Sequence, residues 1–186
     1  MAVMGVILSY LWGGVDEASL DVPDPATGLT PRHKRYITDS WALVRKDLRN
    51  HGIGLLLAFF TANPNYIKNF KAFQDAQPSE LPGNKKFHAH ANAVIYALTS
   101  VVDNLDETEV LVEMLHKLGQ NHGRRNITQV EFNALRSVLM EYLNKNLGKS
   151  VMTPETEEAW VKVLDVAYSL IFEGIEEGKK EKHIIS

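Results

Sequence analysis

The sequence contains no cysteine among its 186 residues, which excludes disulfide bonds and thiol catalysis and fits an intracellular protein. It has no apolar run of the roughly 20 residues that cross a bilayer, so we expect no membrane-spanning helix. The formal net charge is only −3, and this near-balanced charge gives no sign of nucleic-acid binding. What remains is a chain with 45% hydrophobic residues, enough for one domain with a substantial core.

An apolar helical stripe in the second half of the chain ends in a histidine. Its members follow one another at spacings of four, three and four residues: Leu111, Leu115, Leu118 and His122. Such spacings place side chains on one face of an α-helix. The imidazole of His122 is therefore predicted to face the core.

A second apolar helical face precedes this stripe and also carries a histidine. His90 lies on its flank, one turn before Val94. The apolar positions of this face are Phe87, Ala91, Val94, Ile95, Leu98, Val101, Val102 and Leu105. Two apolar helices that each carry a histidine can face each other.

A pair of imidazoles on opposed apolar walls suits a particular kind of metal site. Without cysteine or carboxylate beside them, His90 and His122 fit a tetrahedral zinc site poorly, but they fit a haem iron with two axial positions. The alternative for each histidine alone is a hydrogen-bonded residue of the core or its rim. The spacing of the two histidines from other marker residues bears on this choice.

Five residues together give the chain a recognisable pattern. Phe70 stands 20 residues before His90, Pro64 stands six residues before Phe70, and His122 stands 32 residues after His90. With Trp41, this set resembles the globin family, most closely its invertebrate, arthropod-type members. The resemblance covers residues 29 to 178. It implies an all-α globin fold in which seven to eight helices surround a haem pocket.

The resemblance also implies roles for individual residues around a haem b cofactor. His122 would be the proximal iron ligand, with its second ring nitrogen held by the backbone carbonyl of Leu118. His90 would be the distal residue, able to donate a hydrogen bond to dioxygen or to bind the iron itself. The other expected cofactor contacts are Leu56, Phe70, Phe73, Val94, Arg124, Arg125 and Ile127. For the two arginines, pairing with haem propionates and a simple surface position both remain open.

Whether His90 closes on the iron depends on how freely its helix can shift. Three small residues surround the histidine, Ala89, Ala91 and Ala93, and many globins carry at the position of Ala93 a cation that anchors this helix. Leu56 opposes closure only by its bulk. These features favour bis-histidyl coordination by His122 and His90, with an open iron site as the alternative.

Three functions compete for this chain. The first is reversible dioxygen binding for storage, transport or sensing, without enzymatic activity. The second is haem redox chemistry, such as nitric oxide dioxygenation or nitrite reduction, which needs a separate reductase partner. The third, a haem-free helical interaction protein, is disfavoured because it has no reason to place both histidines in an apolar interior. We therefore expect a carrier of diatomic ligands that is a monomer or a homodimer.

The ends of the chain differ in composition from the domain between them. Residues 1–29 read as an extension with an apolar start and a proline- and glycine-rich linker, residues 30–178 as the globin domain, and residues 179–186 as a polar tail. The extension lacks the basic flank and cleavage site of a secretory signal, so we expect a cytoplasmic protein. Residues 4–9 match the myristoylation pattern if translation begins at Met4, and the alternative is an unmodified apolar tail. Membrane association is expected only through this extension.

Several local signals predict where helices begin and end. Thr30 followed by Pro31, Thr128, and Thr153 followed by Pro154 are typical helix starts. The stretch from His51 to Gly54 is predicted to interrupt the helical pattern because it holds two glycines.

Overall fold

The structure, a computed structural model, describes residues 17–185, with side chains described up to residue 182. Within these residues there are six α-helices and no strand: α1 (Pro31–Val44), α2 (Leu48–Ala62), α3 (Lys85–Asp103), α4 (Thr108–Gly123), α5 (Gln129–Leu147) and α6 (Pro154–Ile185). Four short 3-10 helices accompany them: Glu17–Asp21, Arg45–Asp47, Pro64–Asn69 and Pro78–Gly83. The predicted all-α fold is confirmed. In this part of the chain, no helix has the length and apolar character needed to cross a membrane.

Side-chain caps explain why α1 and α5 begin where they do. The backbone N–H of His33 donates to Thr30 Oγ1 over 3.1 Å, and His33 Nδ1 accepts from the backbone N–H of Thr30 over 3.1 Å. At α5, Thr128 Oγ1 accepts from the N–H of Val130, while Glu131 accepts from the N–H of Thr128. These reciprocal bonds satisfy N–H groups that lack partners inside the helix. The predicted starts at Thr30 and Thr128 are confirmed.

The predicted break between His51 and Gly54 is wrong, because this stretch lies inside α2. The chain bends earlier, at the 3-10 turn Arg45–Asp47, and Asp47 then caps α2 by accepting from the N–H of Asn50 over 3.2 Å. Gly52 has a different purpose. A Cβ atom added there would lie 2.8 Å from the carbonyl oxygen of Ala91, so this glycine lets α2 pack closely against α3.

We predict that Gly52→Ala destabilises the packing of α2 against α3. The new methyl group would meet the Ala91 carbonyl and the side chain of Ile95, whose Cγ2 atom would be 3.0 Å away. Forcing an extra methyl group into such a contact costs about 1–3 kcal/mol. Urea denaturation of the apoprotein measures the change. Gly83→Ala is the matched control, since a Cβ atom there meets nothing within 4 Å, and an equal loss in both variants would contradict the prediction.

Two buried tryptophans join three helices at the centre of the core. The rings of Trp41 and Trp160 lie with their centroids 5.5 Å apart, and both side chains are fully buried. Trp41 Nε1 donates to Thr99 Oγ1 over 3.1 Å, and Trp160 Nε1 donates to Ser40 Oγ over 2.9 Å. Both indole N–H groups are thus satisfied, which removes the cost of burying them. The pair ties α1 to α3 and α6.

The structure changes the predicted boundaries at both ends of the domain. The segment before α1 packs on the domain, because Arg32 pairs with Asp21 over 2.8 Å and Leu29 is fully buried. The predicted tail over residues 179–186 is wrong for its described part, since α6 continues to Ile185. The predicted apolar start and the myristoylation pattern fall in residues 1–16, outside the described residues.

Candidate functional site

A cleft of about 850 Å³, partly open to solvent, lies among α2, α3, α4 and α5. This volume counts all the empty space of the cleft, including the part that is open to solvent. Its walls are mainly apolar and aromatic, with two histidines and a few polar groups at the rim. The lining residues are Leu56, Phe59, Tyr66, Asn69, Phe70, His90, Val94, His122, Arg125, Ile127, Glu131, Phe132 and Leu135.

His122 lies in the last turn of α4 and is oriented by its own helix. Its Nδ1 atom is 2.8 Å from the carbonyl oxygen of Leu118, so Nδ1 carries the proton and donates it to that carbonyl. The Nε2 lone pair then remains free for a metal ion. The ring of Phe132 stands edge-on to the imidazole, with centroids 5.1 Å apart. Leu118 thus acts on the site through its backbone.

His90 reaches the same cleft from α3. Its ring lies edge-on to Phe70 at a centroid distance of 4.8 Å, and Phe73 is further away at 6.4 Å. Among the described side chains, none makes a hydrogen bond to the His90 ring. The imidazole is therefore free to bind a ligand or a metal ion.

The environment keeps both imidazoles neutral near pH 7. Burial lowers the pKa of His122, and the positive charge of Arg125 lowers it further, although the Leu118 carbonyl acts in the opposite direction. Burial also lowers the pKa of His90, with smaller contributions from His122 and Arg125. A neutral imidazole is the form that binds metal ions.

The remaining predicted contacts divide into those that line the cleft and those that stand behind it. Leu56, Val94, Ile127, Phe70 and Arg125 line it. Phe73 does not line it, because its ring is stacked behind that of Phe70 with centroids 5.2 Å apart. Phe73 therefore supports the aromatic wall from inside the core.

Arg124 is engaged outside the cleft, which corrects its assignment as a cofactor contact. Its Nε atom donates to Glu181 over 2.9 Å, and its Nη1 atom donates to Asn121 over 3.0 Å. Arg125 lines the cleft and, among the described residues, makes no ion pair. Of the two predicted arginines, Arg125 is the one available to an anionic group in the cleft.

Sequence reasoning missed six residues that line the cleft: Phe59, Tyr66, Asn69, Glu131, Phe132 and Leu135. Two of them could have been predicted from the sequence of α5. Phe132 and Leu135 lie three residues apart and therefore share one face of the helix. Val130 is 64% exposed, so the apolar face of α5 begins at Phe132. Asn69 and Glu131 meet across the rim at 3.4 Å, a contact between segments that no local pattern reveals.

The donor set of the cleft fits a cofactor that brings its own metal. Among the described residues, no group of three or more histidine, cysteine, aspartate or glutamate side chains could hold a metal ion. Two neutral imidazoles in an aromatic cleft instead match the axial ligands of a planar haem, and Arg125 at the rim matches a carboxylate substituent.

The comparison with known proteins decides the family. The family model for globins matches residues 53–171. The chain belongs to the globin family. A globin from Nerita albicilla is 30% identical over 148 residues, covering 80% of this chain and 94% of that protein. Cytoglobin-2 of Danio rerio is also 30% identical over 148 residues, covering 78% of this chain and 80% of that protein.

A solved structure supports the same family. The hexa-coordinate haemoglobin of Drosophila melanogaster, studied for cyanide binding and haem-cavity transitions, has a TM-score of 0.72 and 25% sequence identity. The match covers 77% of this globin and 94% of the fly protein. Family membership and the cleft together identify this globin as a haem-binding protein that takes small diatomic ligands.

Proposed function

We propose that this globin holds haem b between His122 and His90 and binds dioxygen reversibly, as a carrier, store or sensor. The observation that carries the proposal is the pair of neutral imidazoles that face one aromatic cleft from α3 and α4. Haem would supply an iron that binds an imidazole and a diatomic ligand. The rest of the chemistry belongs to the side chains of the cleft.

His122 would act as the proximal ligand. Its Nδ1–H is fixed on the Leu118 carbonyl, which leaves Nε2 as the metal-binding atom and prevents the ring from rotating. Phe132 packs edge-on against the imidazole and supports its orientation. Arg125 would pair with a propionate at the rim, since it is charged and lacks an ion-pair partner among the described side chains.

His90 would determine which diatomic ligand is retained. Its ring is positioned by Phe70 and can donate a hydrogen bond to dioxygen, which accumulates negative charge when it binds. Carbon monoxide gains little from such a donor, so His90 favours dioxygen. Leu56 and Val94 complete the ligand side with apolar bulk and offer no hydrogen bond.

We further propose that His90 would serve as a second protein ligand of the iron when no external ligand is present. Two observations support this: its ring has no hydrogen-bond partner among the described side chains, and Ala93, one turn along α3, is exposed and cannot anchor the helix to a propionate. The likeness to the hexa-coordinate haemoglobin of Drosophila melanogaster points the same way.

The alternative function is a haem redox protein that dioxygenates nitric oxide or reduces nitrite. Such turnover needs electrons from a separate reductase. We favour binding because neither Leu56 nor Ala93 gives His90 a polar partner of the kind expected in globins tuned for redox work.

Absorption spectra of the purified ferrous protein test the proposal. We expect an oxygenated spectrum under air that returns to the ferrous spectrum when oxygen is removed with argon, and a distinct spectrum under carbon monoxide. The same sample with nitric oxide and a reductant provides the comparison for the redox alternative. Immediate oxidation to the ferric form without an oxygenated species, together with sustained nitric oxide consumption, would favour the redox alternative.

A further inference from the structure

The helix that carries His122 meets the last helix at four buried glycines: Gly119 and Gly123 on α4, and Gly174 and Gly178 on α6. We call this contact the glycine crossing. A Cβ atom added at Gly119 would lie 2.1 Å from the carbonyl oxygen of Ile171, and one at Gly123 would lie 2.2 Å from that of Ile175. No side chain fits at either position.

The contact is equally close in the other direction. A Cβ atom at Gly174 would lie 2.2 Å from the carbonyl oxygen of His116, and one at Gly178 would lie 2.2 Å from that of Gln120. Each glycine therefore presents its Cα–H directly to a carbonyl oxygen of the partner helix, a weak hydrogen bond that recurs where helices touch backbone to backbone. The four contacts fix both the separation of α4 and α6 and their register.

The two helices run parallel through this contact. His116 meets Gly174, and one turn later Gln120 meets Gly178. On both helices the glycines stand four residues apart, so they form a continuous small strip on one face. Such strips permit the closest approach of two helices, as small residues do elsewhere.

Hydrogen bonds between polar side chains also join α4 to α6 next to the glycine crossing. Glu177 accepts from Gln120 Nε2 over 3.1 Å and lies 3.3 Å from His116 Nε2. One turn further, Glu181 accepts from Arg124 Nε over 2.9 Å. Lys182 Nζ then donates to the side chain of Asn126, in the turn that follows α4. The last turns of α6 thus hold both the end of α4 and the turn beyond it.

We propose that the glycine crossing is a positioning device for His122, an inference that rests on the proposed role of His122 as proximal ligand. His122 lies between Gly119 and Gly123, and the Leu118 carbonyl that orients its ring directly precedes Gly119. Because both glycines touch the α6 backbone, α4 cannot tilt or slide without separating from α6. The height of Nε2 above the cleft, and hence the strength of its bond to iron, is therefore set by glycines that contact α6 and do not line the cleft.

Gly174→Ala tests this inference without altering any residue of the cleft. The experiment uses the full-length holoprotein with His90→Leu, so that the iron has one protein ligand. The readouts are the iron–histidine stretching band in the resonance Raman spectrum of the ferrous form and the rate of haem transfer to a competing apo-globin. We expect the band to move to lower frequency and haem to leave about tenfold faster, an effect of the size seen when a group that orients a metal ligand is lost.

Gly83→Ala in the same His90→Leu protein is the matched control, because it adds the same methyl group where nothing lies within 4 Å. Gly178→Ala, at the outer end of the crossing, provides a second variant if Gly174→Ala does not fold, and the same shifts are expected. A band and a transfer rate equal to those of Gly83→Ala would overturn the inference. Absence of the iron–histidine band in the His90→Leu protein itself would instead refute the proposed role of His122.

Discussion

His122→Ala is expected to abolish stable haem binding. The substitution removes the imidazole whose Nε2 is left free by the bond from Nδ1 to the Leu118 carbonyl. Loss of a group that only orients a metal ligand weakens metal binding by roughly 10–100-fold, so loss of the ligand itself is expected to exceed about 100-fold. Haem transfer to a competing apo-globin and the ferrous absorption spectrum measure the effect. Added imidazole is expected to restore the spectrum, because the small alanine leaves space for it.

His51→Ala is the control for this experiment. His51 bonds to Tyr142 over 3.1 Å, away from the cleft, so its loss is expected to leave the haem spectrum unchanged. If His122→Ala keeps haem as tightly as His51→Ala does, with an unchanged spectrum, then His122 is not the proximal ligand.

His90→Leu is expected to have the second largest effect, on coordination and ligand affinity together. In the unmutated ferrous protein, we expect the proposed bis-histidyl coordination to give sharp, resolved low-spin bands, and we expect the variant to show a single broad high-spin band instead. An external ligand no longer competes with His90, so the observed affinity for carbon monoxide rises by the inverse of the open fraction. That is about tenfold if one molecule in ten is open.

His88→Leu is the control, since His88 lies on the same helix and bonds to the carbonyl oxygen of Pro82 over 2.6 Å. We expect it to retain the resolved bands. A broad band already present in the unmutated protein would show an open site. In that case His90→Leu would instead weaken dioxygen binding, because the hydrogen bond to the ligand is lost.

Features of the fold that are local in the sequence could be predicted from it. The caps at Thr30 and Thr128 are bonds between residues three apart or fewer, so they are readable from the sequence. The reason for a glycine at position 52 could not be read from the sequence. A side chain is excluded there by the backbone carbonyl of Ala91, which lies on another helix. In a sequence, a glycine at the end of a helix looks the same as a glycine at a close contact between two helices. The same ambiguity hides the glycine crossing, since nothing in the sequence around Gly123 and Gly178 indicates that a second helix meets them.

The candidate site shows the same division. His90 and His122 were identified because apolar helical stripes carry them, and helical spacing is a local property. The assignment of Arg124 failed because its partner, Glu181, lies in a segment that we predicted to be a tail. The contact between Asn69 and Glu131 at the rim joins two distant segments and depends on how the helices pack. The periodicity of the sequence therefore predicts the apolar walls of the cleft. Its polar rim depends on how the helices pack, which the sequence pattern does not show.

The long final helix has a consequence for the order in which the protein is made. The hydrogen bond from Trp160 to Ser40 spans 120 residues, and the backbone contacts that hold α4 also come from α6. During synthesis, α1 and α4 therefore leave the ribosome well before the helix that covers them. Neither contact can form until α6 has left the ribosome. On the proposed role of the glycine crossing, His122 gains its fixed position only once α6 has emerged, and we expect stable capture of haem to follow that step.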